Sequence, residues 1–559
     1  MSGKILFRLF HQHSHASCRI ALASVLFLAF AVAPSHAQFT YWDRYDFPCT
    51  NNLGCAPYDD AQVTQGLDGN LYGTTNAGGF HAFGTIFMVT TLGNYTDLWQ
   101  FDGVSGENPL GGLTLASDGN FYGGATWGGA FNNGTVFRFT PPSTLTVLHD
   151  FTGGSDGWNP NAPPVQGADG NLYGATGAGT VYTIALATGT FTTLSSGPLL
   201  SVFAPLYLAG DGNLYGTSAY GGTYNQGTVF RVTTPSGAIK VIHNFTGAND
   251  GYNPNSPVVQ SSDGYLYGTT LDTTIGLAGT IYRISPSGGK FKVIHGFSGS
   301  FGTGGTNPDG AFPDAGLLFA SDGNLYGVTS NGGANAAGTF YQITSGIAFT
   351  KLFDFPAPAG GVRGNNADNL MQHTNGSLFG LTSGLGAGYG NLYNFTQPNL
   401  LQILTVAGPI FVLPGSPVEI LGNSLTGVMN VNFAGVPATF RIGSDTQLLA
   451  TVPFDAVDGA ISATYVTGLQ SETVSSVHIL PLITAIDPLS GPVGTQVTIT
   501  GGGFTGATKV TFGSVPATAY TVVSPTTIQA TVPSGFAKAK INVKTPNGKA
   551  TSTQRFTVQ

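Results

Sequence analysis

A six-residue segment, Asp-Gly-Asn-Leu-Tyr-Gly, returns along this chain and dictates what it can fold into. It stands at 68–73, 169–174, 211–216 and 322–327, and as Asp-Gly-Asn-Phe-Tyr-Gly at 118–123. Looser copies are Asp-Gly-Tyr-Leu-Tyr-Gly at 263–268 and Asn-Gly-Ser-Leu-Phe-Gly at 375–380. Seven copies, spaced by 50, 51, 42, 52, 59 and 53 residues, mark a repeat architecture in which each unit buries its faces against its neighbours.

Every unit has the same order. An apolar run leads to the Asp-Gly turn, then Leu-Tyr-Gly-Thr-Thr, a loop that usually contains Gly-Gly, a segment such as Gly-Thr-Val-Phe-Arg-Val-Thr, and a run such as Lys-Val-Ile-His-Asn-Phe at 240–245. These read as four short strands. Asp-Gly between strands predicts a two-residue hairpin turn with both central residues at positive φ. Four antiparallel strands in a unit of this size describe a propeller blade, and seven blades close a ring that leaves no exposed edge. The expected fold class is therefore all-β, with a seven-bladed β-propeller over residues 38–398.

Length variation falls in loops: the third unit lacks its Gly-Gly loop at 174–179, and the long interval before Asp322 comes from an insertion at 298–312. The run Tyr-Trp-Asp-Arg-Tyr-Asp-Phe at 41–47 resembles the fourth strand of a unit. It is predicted to complete the last blade and close the ring; the competing segment for that slot is 400–404.

Composition agrees with such a fold. Only 8% of the 559 residues are charged, as expected where both faces of a strand are covered and few positions tolerate Lys or Glu. Gly (83) and Pro (32) are plentiful, but they stay below the band of disordered or collagen-like chains.

Lys4, Arg8 and Arg19 precede or flank an apolar run at 20–33, and Ser-His-Ala at 35–37 offers small residues for cleavage. This predicts a secretory signal over 1–37 and a secreted or cell-surface protein. The apolar run is shorter than the roughly 20 residues of a spanning helix, and no transmembrane segment is expected in the mature chain. His11, His13, His15 and His36 leave with the signal. Cys18 leaves too, so Cys49 and Cys55 are expected to form a disulfide in an oxidising compartment.

Beyond residue 398 a different self-similarity begins. Val-Glu-Ile-Leu-Gly at 418–422, Phe-Ala-Gly-Val-Pro-Ala at 433–438 and Thr-Val-Pro at 451–453 recur about 80 residues later at 497–501, 512–517 and 531–533. Short strands between Gly and Pro turns predict two immunoglobulin-like β-sandwiches in tandem, at 399–480 and 481–559. Asp-Pro-Leu-Ser-Gly-Pro-Val-Gly at 487–494, followed by Val-Thr-Ile-Thr-Gly-Gly-Gly-Phe at 497–504, resembles IPT/TIG domains; the first module departs from that pattern at 407–415. The repeat itself resembles the GloVer tandem repeats of bacterial exported proteins over 41–396. That resemblance implies an exported repeat protein and brings no catalytic residues.

Carboxylates of the right kind for catalysis are scarce. Glu107, Glu419 and Glu472 are the glutamates, whereas a glycosidase needs two carboxyl groups opposed across the scissile bond. Asp68, Asp118, Asp169, Asp211, Asp263 and Asp322 recur at one hairpin position, where turn chemistry accounts for them. His149, His243 and His295 occupy one equivalent strand position, which reads as packing; His81, His373 and His478 are isolated. No spacing of metal ligands and no strand-turn-helix nucleophile elbow is found, so no catalytic residue, metal or cofactor is expected.

The better candidates lie in loops. In a four-stranded meander, the connection between blades and the loop between second and third strands emerge together, opposite the Asp-Gly turns. They carry Asp156, Trp158 and Asn159, then Asp250, Tyr252 and Asn253, with Trp127 and Tyr220 inside blades. Aromatic faces beside amides and carboxylates suit sugars, whose C–H faces pack on rings. Such a rim predicts a non-catalytic binding protein for polysaccharide or cell-surface glycan, expected as a monomer. The rivals are a polysaccharide-cleaving enzyme using propeller Asp residues, and an adhesion scaffold with protein partners. Charge is divided: residues 38–398 are acidic, while 481–559 carry Lys509, Lys538, Lys540, Lys544, Lys549 and Arg555 against Asp487 alone. The alternation of Lys538, Lys540 and Lys544 with apolar residues predicts one solvated strand face, and attachment to acidic surface polymer is a lesser alternative. Nucleic acid is not expected as a partner of an acidic exported chain.

Overall fold

The structure is a computed structural model and describes residues 39–48, 54–55, 57, 61–196, 199–274, 276, 278–299, 307–357, 367–383, 390–398 and 400–559. The expected signal at 1–37, and Cys49, lie outside the described residues; Cys55 is disulfide-bonded. The described chain is all-β, with one 3-10 turn at Leu425–Gly427 and no α-helix. No helix among the described residues is long and apolar enough to cross a membrane.

Among the described residues, seven four-stranded antiparallel meanders follow one another. In sheet one the strands are Thr64–Gln65, Leu71–Thr75, Thr85–Val89 and Tyr95–Gln100. Sheets two to seven begin at Thr114–Leu115, Val165–Gln166, Tyr207–Leu208, Val259–Gln260, Leu318–Phe319 and Met371–Gln372. Second strands such as Leu71–Thr75 and Leu266–Thr270 are buried at every residue. Burial on both faces is the physical cause of the low charge.

The repeated hexapeptide is explained atom by atom. In sheet one, Gly69 N donates to Gly66 O and Gly66 N to Asn70 O, closing a three-residue loop in which Gly69 alone is left-handed, at φ 79°. The expected two-residue turn is therefore corrected to a type I turn followed by a left-handed glycine. Asp68 stays right-handed because its carboxylate then caps the loop: Oδ1 accepts from Asn70 N (3.1 Å), and Oδ2 from Asn70 Nδ2 (2.7 Å) and the Tyr72 hydroxyl (3.0 Å). The same three bonds recur at Asp118, Asp169, Asp211 and Asp322. The final glycine answers to packing across the sheet. Gly73 pairs with Phe87, and a Cβ on Gly73 would stand 2.6 Å from that ring.

Sheet seven takes its outer strand from the other end of the chain. Thr40–Asp46 pairs antiparallel with Asn391–Thr396, as predicted for 41–47, while Ile403 donates its N–H to Thr374 O (3.0 Å) on the way to the next domain. The closing strand holds both neighbours: Tyr41 stacks on Phe353 of sheet six (5.2 Å) and Tyr45 on Tyr95 of sheet one (4.5 Å).

Two further sheet pairs follow, each around its own apolar core. One contains Ile420, Leu448, Ile461 and Ala463; the other contains Val497, Ile499, Phe512 and Ile541. The first of these units docks on the Asp-Gly turn side of the seven sheets. Thr446 Oγ1 donates to Leu67 O (2.8 Å) and Thr374 Oγ1 to Gly422 O (3.0 Å), and a Cβ on Gly212 would stand 3.6 Å from the Phe411 ring. Ala407 and Leu421 join the apolar cluster of sheets one and two. A cavity of about 480 Å³ lies between them, lined by the first strands of all seven sheets and floored by residues 405–407, Leu421 and Ser475.

Candidate functional site

With the turn side covered, the opposite side carries the free loops. They are built as pairs. The connection into a sheet bridges the loop between that sheet's second and third strands: Glu107 with Trp127, Tyr252 with Asp272, and Leu199–Leu200 with Tyr220–Gly221. Each connection is also tied to the preceding sheet through one N–H: Asn108 to Phe83 O (2.8 Å), Asn159 to Asn133 O (2.9 Å), Asn253 to Gln226 O (3.1 Å). These asparagines are left-handed, at φ 54°, 53° and 58°, a conformation that Asn tolerates better than most residues. Asn159 and Asn253 are thus pivots of the connection, and their Oδ1 atoms are buried.

Asp156 and Asp250 are staples. Asp156 accepts from Thr152 N (2.9 Å), Thr152 Oγ1 (2.5 Å) and His149 Nε2 (3.0 Å). Asp250 accepts from Thr246 N, Thr246 Oγ1 and His243 Nε2 (3.3 Å). Asp309 repeats the pattern with Ser298 and His295 (3.0 Å), a match hidden in sequence by the 298–312 insertion. Burial works against the charge of Asp156 and Asp309, but the hydroxyl, backbone and histidine donors outweigh it and hold both carboxyls below their ordinary 3.8.

Each of those histidines lies flat on a phenylalanine of the next sheet: His149 on Phe191 (3.6 Å), His243 on Phe291 (3.9 Å), His295 on Phe349 (3.8 Å). Tyr45 on Tyr95 and Phe353 on Tyr41 are the same stack at other seams. Among the described residues this ring stack joins one sheet to the next at five seams, and where the ring is His an Asp from the connecting loop holds its edge; at the equivalent position sheet three has Ser195 instead.

What remains open to solvent is aromatic. Trp127 (44% exposed), Trp158 (43%) and Tyr220 (46%) stand out from the loops, joined by Phe80, Phe131 and Tyr224. Trp158 occupies the position of Glu107 and Tyr252, but sheet three has lost the loop that would bridge it, so its ring is uncovered. Tyr252 differs: it is half-buried and its hydroxyl donates to Asp272 Oδ2 (3.1 Å). Burial first, then Asp272 and the nearby Tyr220, raise that hydroxyl above its ordinary 10.0. The structure therefore brings Tyr252 beside Tyr220, and the Trp158 loop beside the Phe131 loop through Asn159 and Asn133. Phe80, Phe131 and Tyr224 lie in the loops between second and third strands, the loops expected to carry candidate aromatics, and all three are exposed. Among the described residues, no three His, Cys, Asp or Glu side chains are grouped to hold a metal ion.

These features define a class: an all-β protein of tandem propeller-like sheets followed by a C-terminal immunoglobulin-like domain. The sequence profile of the Gloeobacter/Verrucomicrobia repeat matches residues 28–178 and 174–393, and that of the IPT/TIG domain matches 481–558. The chain belongs to the Gloeobacter/Verrucomicrobia repeat family. No curated protein matches it in sequence.

Solved structures with some likeness include virginiamycin B lyase from Staphylococcus aureus, at 14% identity, 64% of this chain, 99% of that one and a TM-score of 0.43. A fungal alcohol oxidase in complex with copper is 12% identical over 94% of this chain and 99% of that one, with a TM-score of 0.41. The RRP9 WD40 repeats are 13% identical over 61% and 99%, with a TM-score of 0.39. Likeness of this degree transfers no activity to this chain.

Proposed function

We propose that the chain is an exported, non-catalytic carbohydrate-binding protein. In this reading the seven sheets are the blades of one ring spanning 38–398, with an IPT/TIG-like module at 399–480 and an IPT/TIG module at 481–559. The secretory signal covers 1–37, and the protein acts as a monomer. The single observation that carries the reading is the concentration of exposed aromatic rings on the loop side of the ring, at Trp127, Phe131, Trp158, Tyr220 and Tyr224, while the turn side is occupied by the first module. Rings held on stapled loops stack on sugar faces with little ordering cost. Asp156, Asp250, Asn159 and Asn253 contribute by fixing the loops, and Tyr252 by flanking Tyr220.

A glycan array with the full chain tests the reading. Trp127→Ala and Trp158→Ala should each weaken retention of the bound glycan by about tenfold, the scale of one buried aromatic contact, with unchanged melting temperature. Retention equal to the parent in both variants would remove these rings from the site, and new reducing ends released from the glycan would replace binding by cleavage.

A further inference from the structure

The last domain carries a basic strand face whose chemistry differs from that of the aromatic loops. Strands Lys509–Phe512, Lys538–Thr545 and Gly548–Val558 lie side by side in one sheet. Their register sets Lys509 directly opposite Lys544, Lys544 opposite Lys549, and Lys540 opposite Arg555. All five side chains are exposed, as is Lys538. Like charges facing each other across a ladder, with Cβ atoms about 5 Å apart, destabilise a sheet. No ion pair offsets them among the described residues: Asp487 is the single acid of 481–559 and lies on the other sheet, and Asp458 of the preceding unit bonds Asn547 and His478 at the hairpin tip and not a lysine.

The face is also shaped. Lys509, Lys544 and Lys549 edge a depression of about 370 Å³ whose remaining lining is Thr511, Gly513, Ser514 and Asn542. Asn542 and Thr511 are tied to each other, to Gly513 O and to Thr551 and give the depression a fixed polar floor, over which the Ser514 hydroxyl can bond a sugar hydroxyl while the three ammonium groups bind acidic substituents. No aromatic ring lines the depression, so it has no platform for stacked bases and no apolar wedge for a lipid surface.

We propose that this face binds an acidic polysaccharide, its carboxylate or sulfate groups seated among Lys509, Lys544 and Lys549, with Lys540 and Arg555 extending the contact along the strands. The site is independent of the aromatic loops, which take the neutral faces of a sugar. The test is retention of the full chain on immobilised polygalacturonate and, in a separate arm, on heparin, with neutral dextran and duplex DNA as comparisons. The parent should bind one or both acidic polymers at low salt and release them at high salt, as exposed charge contacts are screened. The triple variant Lys509→Gln, Lys544→Gln, Lys549→Gln should lose about tenfold in affinity, the combined scale of three exposed charge contacts. Its melting temperature should equal or exceed the parent's, because facing like charges are removed, and the Lys→Arg triple variant should retain binding. No retention of the parent on either acidic polymer, equal retention of the Gln variant, or duplex DNA held as tightly as the better polysaccharide would each overturn the proposal.

Discussion

His243 shows how one residue can weld two sheets and make their seam acid-sensitive. Its imidazole is flat against Phe291, and burial lowers its pKa from the ordinary 6.5 even though Asp250 opposes the shift. The folded chain thus releases a proton that the unfolded chain holds just below 6.5, so stability falls as pH drops through that value. His373, lowered from 6.5 by burial while its Nε2 donates to Gly69 O (2.9 Å), adds to the same window. Asp156 and Asp309 act lower: with pKa values depressed below 3.8, their contribution is complete above the unfolded value and lost as pH falls toward the folded one. Thermal melts across pH should show two successive losses, one beginning near 6.5 and one below about 4. His243→Phe keeps the stack and should shrink the upper loss while leaving the lower. An unchanged upper loss in that variant would separate His243 from it. The equivalence of the three histidines was readable from their common place before Phe in the fourth strand. Their Asp partners were not, since pairing across 7 or 14 residues depends on how each connecting loop folds back.

At the scale of the strand, the repeat is a packing device. Gly216 pairs with Phe230, and a Cβ there would stand 2.6 Å from that ring. Gly216→Ala should cost about 1–3 kcal/mol by overpacking, measured by denaturant unfolding. Combining it with Phe230→Leu should cost less than the sum of the two single changes, because the smaller side chain admits the methyl; strict additivity would contradict the ring-over-glycine contact. Strand order, spacing and the closing role of 41–47 could be read from the hexapeptide and the Phe-terminated fourth strands, since period and pattern are local. The turn geometry was misread for an equally local reason: Asp-Gly satisfies two kinds of hairpin, and the choice rests on the Asp68 carboxylate reaching Asn70 and Tyr72.

The whole molecule has two sides because its first C-terminal unit sits on the Asp-Gly turns and floors the central cavity. No motif announces that docking. It depends on Thr446 meeting Leu67 and Thr374 meeting Gly422, contacts between segments 379 and 48 residues apart. The docking leaves the loop side open, and the exposed aromatics Trp127, Phe131, Trp158, Tyr220 and Tyr224 stand on it. Hydrogen–deuterium exchange of the full chain with and without its array-selected glycan tests this arrangement most directly. Slowed exchange confined to residues 126–134, 153–161 and 218–227 is the predicted result. Slowing confined to the Asp-Gly turns and residues 405–422, with those loops unchanged, would contradict it.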